Sequence, residues 1–285
     1  MDYRRAVDLQ DAVRLRQSMG YPFVAGGTDI YPAIENGVRF PGLIDVSKVE
    51  ALRGEIRREG GEWIIPAMAT WSEIIAAKLP SQFDALKQAA SEVGGRQIQN
   101  TGTVAGNICN ASPAADGIPA LMAMDAKISV AGPSGMREVP LEKFVLGNRK
   151  TDLHGDEILC AVKVPARPGR TASAFRKLGA RRYLVISIAM AAAVLECDAA
   201  EKIVYAGISV GACAARSLRL PAWEKALHGR SIGEVGSVEP VPAFLAPLAP
   251  MDDIRGKGEY RKHAAGVLVH EALVKAAERL NEQVA

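Results

Sequence analysis

Two stretches of the chain are built from residues that suit anion and hydroxyl binding better than core packing. The first, VAGGTDI, covers residues 24–30, and the second, TGTVAGNICNASPAAD, covers residues 101–116. Glycine permits positive φ and lets a backbone come close to a ligand, so successive N–H groups can converge on an anion such as a pyrophosphate. Thr28, Thr103, Asn107 and Asn110 could add side-chain hydrogen bonds, and Asp116 could accept from hydroxyls or cap the helix that follows it. Neither stretch is GxGxxG or GxxxxGK[ST], so the common dinucleotide fingerprint and the P-loop are both absent. The same composition also serves tight turns in which backbone packs on backbone. Two such loops, each tied to an α/β unit, shift the balance toward a phosphate-bearing ligand.

Other chemistries find little support. The four cysteines, Cys109, Cys160, Cys197 and Cys213, are widely spaced with no CxxC pair, and only four histidines are present, which fits neither a disulfide framework nor a metal site. No nucleophile–histidine pair or acid/base carboxylate pair stands out, so no catalytic side chain is assigned. A net charge of +3 with 24% charged residues implies neither nucleic acid nor an anionic membrane as partner. The N-terminal MDYRRAVDLQDAV lacks an apolar secretion core, and the longest apolar run, residues 183–195, is too short to span a bilayer. A cytoplasmic protein is the expectation.

The positioning elements are legible from periodicity. Residues 8–18 predict a short amphipathic helix ended by Gly20, followed by a strand PFVAG that runs into the first loop. IYPAIENG reads as helical, GLIDV and WIIPAMAT as buried strands, and Ser72 as the cap of SEIIAAKL. A helix over roughly 82–93 stops at Gly94-Gly95. After the second loop come a helix, IPALMAMDA, and a strand, KISVAG. The pattern is two α/β units, 1–55 and 56–165, with PARPG (165–169) as a linker. Beyond it, YLVISIAMAAAVLE and KIVYAGISVGA predict adjacent antiparallel strands joined at CDAAE. A helix is expected over 217–227 and a Pro-rich connection over 238–250. The final helix begins near Glu259, with Tyr260, Ala264, Val267, Leu268 and Val274 on its apolar face.

FVAGGTDIYP and GGRQIQNTGTVAGNICNASPAADGIPALMAMDAKI together resemble the FAD-binding (medium) subunit of molybdenum hydroxylases, the xanthine dehydrogenase and carbon monoxide dehydrogenase family. SAFRKLGARR, GISVGACAARSLRLPAWEKALHG and DIRGKGEYRKHAAGVLVHEAL are similar to that family's C-terminal domain. The resemblance implies an α+β chain: a two-subdomain FAD-binding fold of the vanillyl-alcohol-oxidase type (1–55 and 56–165), then a small antiparallel sheet with helices (172–285). It implies noncovalent FAD, gripped by Val24, Ala25, Gly26, Gly27, Thr28, Asp29 and Ile30 on one side and by Thr103, Ala105, Gly106, Asn107 and Asn110 on the other. Asp116 would hold sugar or ribityl hydroxyls, Leu159 would lie near the isoalloxazine, and Lys177 near the flavin. Partners would be a small [2Fe–2S] subunit and a large molybdopterin subunit, as a dimer of heterotrimers delivering electrons to NAD⁺ or another acceptor. A purine or other N-heterocycle would be the substrate of the whole enzyme. Departures occur at Ala105, where relatives often have glycine, at Gln99, where arginine is common, and over 181–187, which lack an acidic residue. A standalone flavin oxidoreductase and a flavin-free assembly subunit are the rival readings.

Overall fold

The structure is a computed structural model that describes residues 1–283, so Val284 and Ala285, the end of the expected C-terminal domain, lie outside it. Strand β1 (Asp2–Arg5) is followed by α1 (Leu9–Met19), whose start is set by Asp8: its carboxylate accepts from the Asp11 N–H at 2.8 Å. Gly20, left-handed at φ 68°, ends the helix as expected. The buried Ala12 and Leu15 hold α1 to the core. Strand β2 (Phe23–Val24) then leads through the first glycine loop into α2 (Ile30–Glu35), and β3 (Gly42–Asp45) pairs in parallel with both β1 and β2. The order β1-β3-β2 makes a small three-stranded sheet.

The second unit is antiparallel. Strands β4 (Arg57–Glu59) and β5 (Glu62–Pro66) form a hairpin that leads to α3 (Trp71–Ala76). Thr70, rather than Ser72, caps this helix, through a reciprocal box in which Glu73 accepts from the Thr70 N–H at 2.7 Å. The run expected as one helix over 82–93 is a 3₁₀ turn followed by α4 (Asp84–Glu92). Next come α5 (Arg96–Thr101), α6 (Val104–Asn110) and α7 (Gly117–Ala123). The middle of the second glycine stretch is therefore a short helix, with Thr103 as its cap, accepting from the Gly106 N–H at 3.0 Å. Strands β6 (Lys127–Gly132) and β7 (Gly135–Pro140), α8 (Leu141–Phe144), the small hairpin β8 (Val145–Gly147) and β9 (Lys150–Thr151), and β10 (Ile158–Pro165) complete the unit, with sheet order β4-β5-β10-β6-β7.

The third sheet, in order β11-β12-β13-β14, contains β11 (Arg170–Leu178), β12 (Ala189–Cys197), β13 (Ile203–Gly211) and β14 (Leu218–Arg219). Every residue of β12 is buried because both faces are covered. Met190, Ala192 and Val194 pack into the core shared with the first two units, while Ala189, Ala191, Ala193 and Leu195 pack toward the C-terminal helix. The expected strand began at Tyr183; the observed one begins six residues later, because Tyr183, Leu184 and Ile186 are exposed and Leu184 is left-handed at φ 52°. The helix expected from Ser217 starts at Pro221 as α9 (Pro221–Leu227), since β14 takes the residues before it.

The last helix, α10 (Gly258–Glu282), crosses β11 and β12. Its buried stripe is Arg261, Ala264, Ala265, Leu268, Val269, Ala272, Leu273, Ala276 and Leu280, whereas Tyr260 and Val267 are 52% and 42% exposed. The expected stripe was thus rotated by about one residue, because the helix packs on an alanine-lined sheet with its small residues rather than its largest. The connection after β10 is pinned rather than free. The Arg167 guanidinium lies 3.1 Å from the Tyr205 ring centroid and 2.8 Å from Asp125, and the Gly169 N–H donates to Glu196.

Candidate functional site

A cavity of about 500 Å³ opens between the first two sheets, within the size range of cofactor sites. The first loop and α6 face each other across it. Ala25, Gly26, Gly27, Thr28, Asp29 and Ile30 line one side, and Thr103, Ala105, Gly106, Asn107 and Asn110 the other. Leu159, at the start of β10, adds an apolar wall together with Met68, Ile98 and Leu153.

The two glycine stretches do different work. Gly26 is needed for backbone packing: a Cβ there would stand 1.8 Å from the Thr101 carbonyl oxygen. Gly27 has φ +71°, and a Cβ on it would strike the Tyr31 ring. With the loop held this way, no backbone N–H from Gly26 to Ile30 finds a hydrogen-bond partner among the described residues. Such a row of free donors is the cradle an anion requires. In the second stretch the donors from Val104 to Asn107 are already used. Val104 N–H goes to the Ala69 carbonyl at 2.9 Å, Ala105 to Ala67 at 3.3 Å, and Asn107 to Thr103 at 3.0 Å. The expectation of backbone contacts from this side is therefore corrected for Val104 to Asn107, whose N–H groups are taken by the Ala69 and Ala67 carbonyls and by Thr103, while the Thr103 N–H has no partner among the described residues.

Side chains on that second wall remain available. The Asn107 amide oxygen is buried with no partner among the described residues, a costly state unless a ligand donor completes it. Asn110 is partly engaged, accepting from Arg149 at 2.8 Å. Thr103 uses its oxygen as a cap acceptor, which leaves the hydroxyl hydrogen to donate. Burial pushes the neighbouring Cys109 thiol up to about 12, so it sits in the cavity wall as an inert thiol. Glu157 faces the cavity with its charge already met by Arg137, through two contacts of 2.7 Å that hold its carboxyl below the ordinary range.

Three expected residues lie outside the cavity. Val24 is core, on the strand that pairs with β3. Asp116 and Lys177 form a buried ion pair at 2.7 Å, and the second Asp116 oxygen accepts from the Ser187 hydroxyl at 2.6 Å. The carboxylate expected to hold cofactor hydroxyls is thus occupied by the C-terminal sheet, since β11 delivers Lys177 onto it. Asp116 also makes no cap bond to α7. Gln99 is buried, with its amide donating to the Ser91 carbonyl at 3.1 Å. Lining residues that sequence reasoning did not single out include Arg16, Phe23, Trp71 and Glu157. They come from four separated segments with no shared motif, and only the folded chain brings them together. No group of three potential metal ligands occurs among the described residues, and none of their helices is long and apolar enough to cross a membrane.

A row of free N–H groups, an orphaned buried amide and apolar walls define a binding site for an elongated ligand carrying both an anion and hydroxyls, as a flavin dinucleotide does. Residues 1–167 match the family described as the FAD binding domain in molybdopterin dehydrogenase, and residues 173–276 match the CO dehydrogenase flavoprotein C-terminal domain; the chain belongs to this family. The carbon monoxide dehydrogenase medium chain of Afipia carboxidovorans is 31% identical, with 98% of this chain and 97% of that one covered. The nicotinate dehydrogenase FAD-subunit of Eubacterium barkeri is 33% identical over 90% and 88% of the two chains. Among solved structures, carbon monoxide dehydrogenase from Hydrogenophaga pseudoflava superposes with a TM-score of 0.88 at 29% identity, covering 98% of each chain.

Proposed function

We propose that this chain is the electron-transfer subunit of a cytoplasmic molybdenum hydroxylase, standing between [2Fe–2S] clusters on a small subunit and NAD⁺ or another terminal acceptor. The molybdopterin belongs to a large subunit, and the assembly is a dimer of heterotrimers. The substrate of the whole enzyme is a purine or other N-heterocycle, a choice supported by the 33% identity to the nicotinate dehydrogenase subunit. Four unpaired cysteines suit a reducing compartment.

The carrying observation is the run of unpartnered N–H groups from Gly26 to Ile30 across the cavity from the orphaned Asn107 amide. When bound, FAD supplies the two-electron redox chemistry, and the protein supplies position and electrostatics. The Gly26–Ile30 backbone holds the diphosphate. Asn107 and Thr103 meet hydroxyls, and Leu159, Ile98 and Met68 exclude water from the ring systems. Residues 1–55 and 56–165 act as the two halves of this clamp, and 172–285 closes against it through Lys177 and Ser187.

The deciding measurement is the visible spectrum of the purified chain before and after acid denaturation. Flavin absorbance released into the supernatant supports noncovalent FAD, whereas a folded, colourless chain that ignores added FAD overturns the proposal. Reduction of the bound flavin by NADH in the isolated chain supports NAD⁺ as acceptor; absence of reduction favours another acceptor.

A further inference from the structure

Arg16 is the one cation among the described residues that line the cavity. It lies in the last turn of α1, and its guanidinium donates to the carbonyls of Gly20, at 3.1 Å, and Tyr21. Its carbon centre stands 5.6 Å from the Phe23 ring centroid, so the side chain is laid across the residue immediately before the first glycine loop. Its Nε atom is buried and has no hydrogen-bond partner among the described residues. Burial also holds its pKa below the ordinary arginine value, with no carboxylate among the described residues offsetting it.

A half-buried guanidinium without a counter-charge is unfavourable unless something else supplies the anion. The carboxylates on the cavity wall do not. Glu157 is committed to Arg137, and Asp29 makes no ion pair among the described residues. At neutral pH the charge of a flavin dinucleotide is concentrated on its diphosphate, since the flavin and adenine rings are neutral. The Gly26–Ile30 cradle supplies dipoles but no full positive charge.

We propose that Arg16 is a further cofactor-binding residue, the counter-charge to the diphosphate of the dinucleotide on the Phe23 side of the cavity. This inference rests on the FAD reading above. It also gives α1 a role in the site: the capping bonds to Gly20 and Tyr21 hold the guanidinium in place before the ligand arrives, so little side-chain entropy is lost on binding.

The test compares FAD with riboflavin, which keeps the ring and ribityl chain but carries no phosphate, on the deflavinated full-length chain by flavin fluorescence. Arg16→Gln keeps a donor for the Gly20 carbonyl and removes the charge. It should weaken FAD roughly tenfold, the size of one charge-assisted contact, and leave riboflavin affinity unchanged. Arg16→Lys should recover part of the loss. The wild-type FAD affinity should fall with added salt more steeply than that of Arg16→Gln. Equal FAD affinity in wild type and Arg16→Gln overturns the inference alone, and so does an equal loss for riboflavin. A wild-type chain that binds no FAD overturns the underlying reading as well. If Arg16→Gln fails to fold, judged by melting of the cofactor-free protein, the salt dependence of the wild type and the Arg16→Lys affinity decide: a salt-independent wild type overturns the inference.

Discussion

Lys177 Nζ lies 2.7 Å from Asp116 Oδ2, joining β11 of the C-terminal sheet to the residue that precedes α7, and both side chains are more than nine-tenths buried. The Ser187 hydroxyl occupies the other carboxylate oxygen, so one aspartate holds both ends of the segment between β11 and β12. That segment carries the exposed Tyr183, Leu184 and Ile186. Asp116→Ala leaves a buried ammonium unpaired and should cost about 3–5 kcal/mol. Adding Lys177→Met to Asp116→Ala should restore much of this. Urea denaturation of the two variants checks both numbers, and equal stability of single and double variants would refute the pairing.

Asn107 presents the opposite situation, a polar atom without a partner. Asn107→Ala should leave the cofactor-free protein as stable as the wild type or slightly more so, because an unsatisfied buried acceptor disappears. FAD affinity should drop about five- to tenfold, the effect of losing one hydrogen bond. Thermal melts with and without FAD separate the two effects, and a variant destabilised equally in both conditions would show a structural role instead.

A methyl on Gly26 would run into the Thr101–Gly102 peptide, which is backbone and cannot swing aside as a flexible side chain could. Gly26→Ala should cost about 3 kcal/mol or more and strip FAD from the purified chain. Gly155→Ala, where a Cβ meets nothing within 4 Å, serves as the control and should stay within about 0.5 kcal/mol of the wild type. Calorimetry and flavin content report the pair.

Acid stability should depend on Asp45. Burial pushes this carboxyl upward, but the Ser47 hydroxyl and N–H and the Arg5 guanidinium outweigh it and hold the group to about 2, against an ordinary value of 3.8. A carboxylate depressed by folding contributes stability that is complete above its unfolded value and is lost as pH falls through the folded one. The contribution therefore disappears between about pH 4 and pH 2. Asp45→Asn should be less stable than the wild type at pH 6, and the gap should close on acidification across that window. Denaturation midpoints at pH 6, 4, 3 and 2 test this, and a constant gap would exclude Asp45 as the source.

Local chemistry was enough to place much of the fold. Asp8 and Gly20 mark the ends of α1 because caps act within one turn, and β5, β6 and β13 follow from short apolar runs bounded by turn residues. The first glycine loop was legible as a sharp turn because Gly27 permits its left-handed dihedral locally, whereas the need for glycine at Gly26 comes from the Thr101 carbonyl, which only the fold brings against it. The second stretch was misread as a loop. Small residues suit a short helix equally well, and the choice was made by bonds from Val104 and Ala105 to carbonyls some 35 residues earlier.

Only the tertiary structure decided which polar side chains reach the cavity. Asp116 has the residue type and position for a cofactor contact, yet Lys177 and Ser187, more than sixty residues away in sequence, claim both of its oxygens. Arg16 has no motif at all and enters the site because α1 packs its last turn against Phe23. Turn and cap chemistry is set by neighbours in the chain, so sequence determined where the first glycine loop lies and how α1 begins and ends. The pairing of buried charges is set by neighbours in space, and that part of the site was decided by the packing of three sheets.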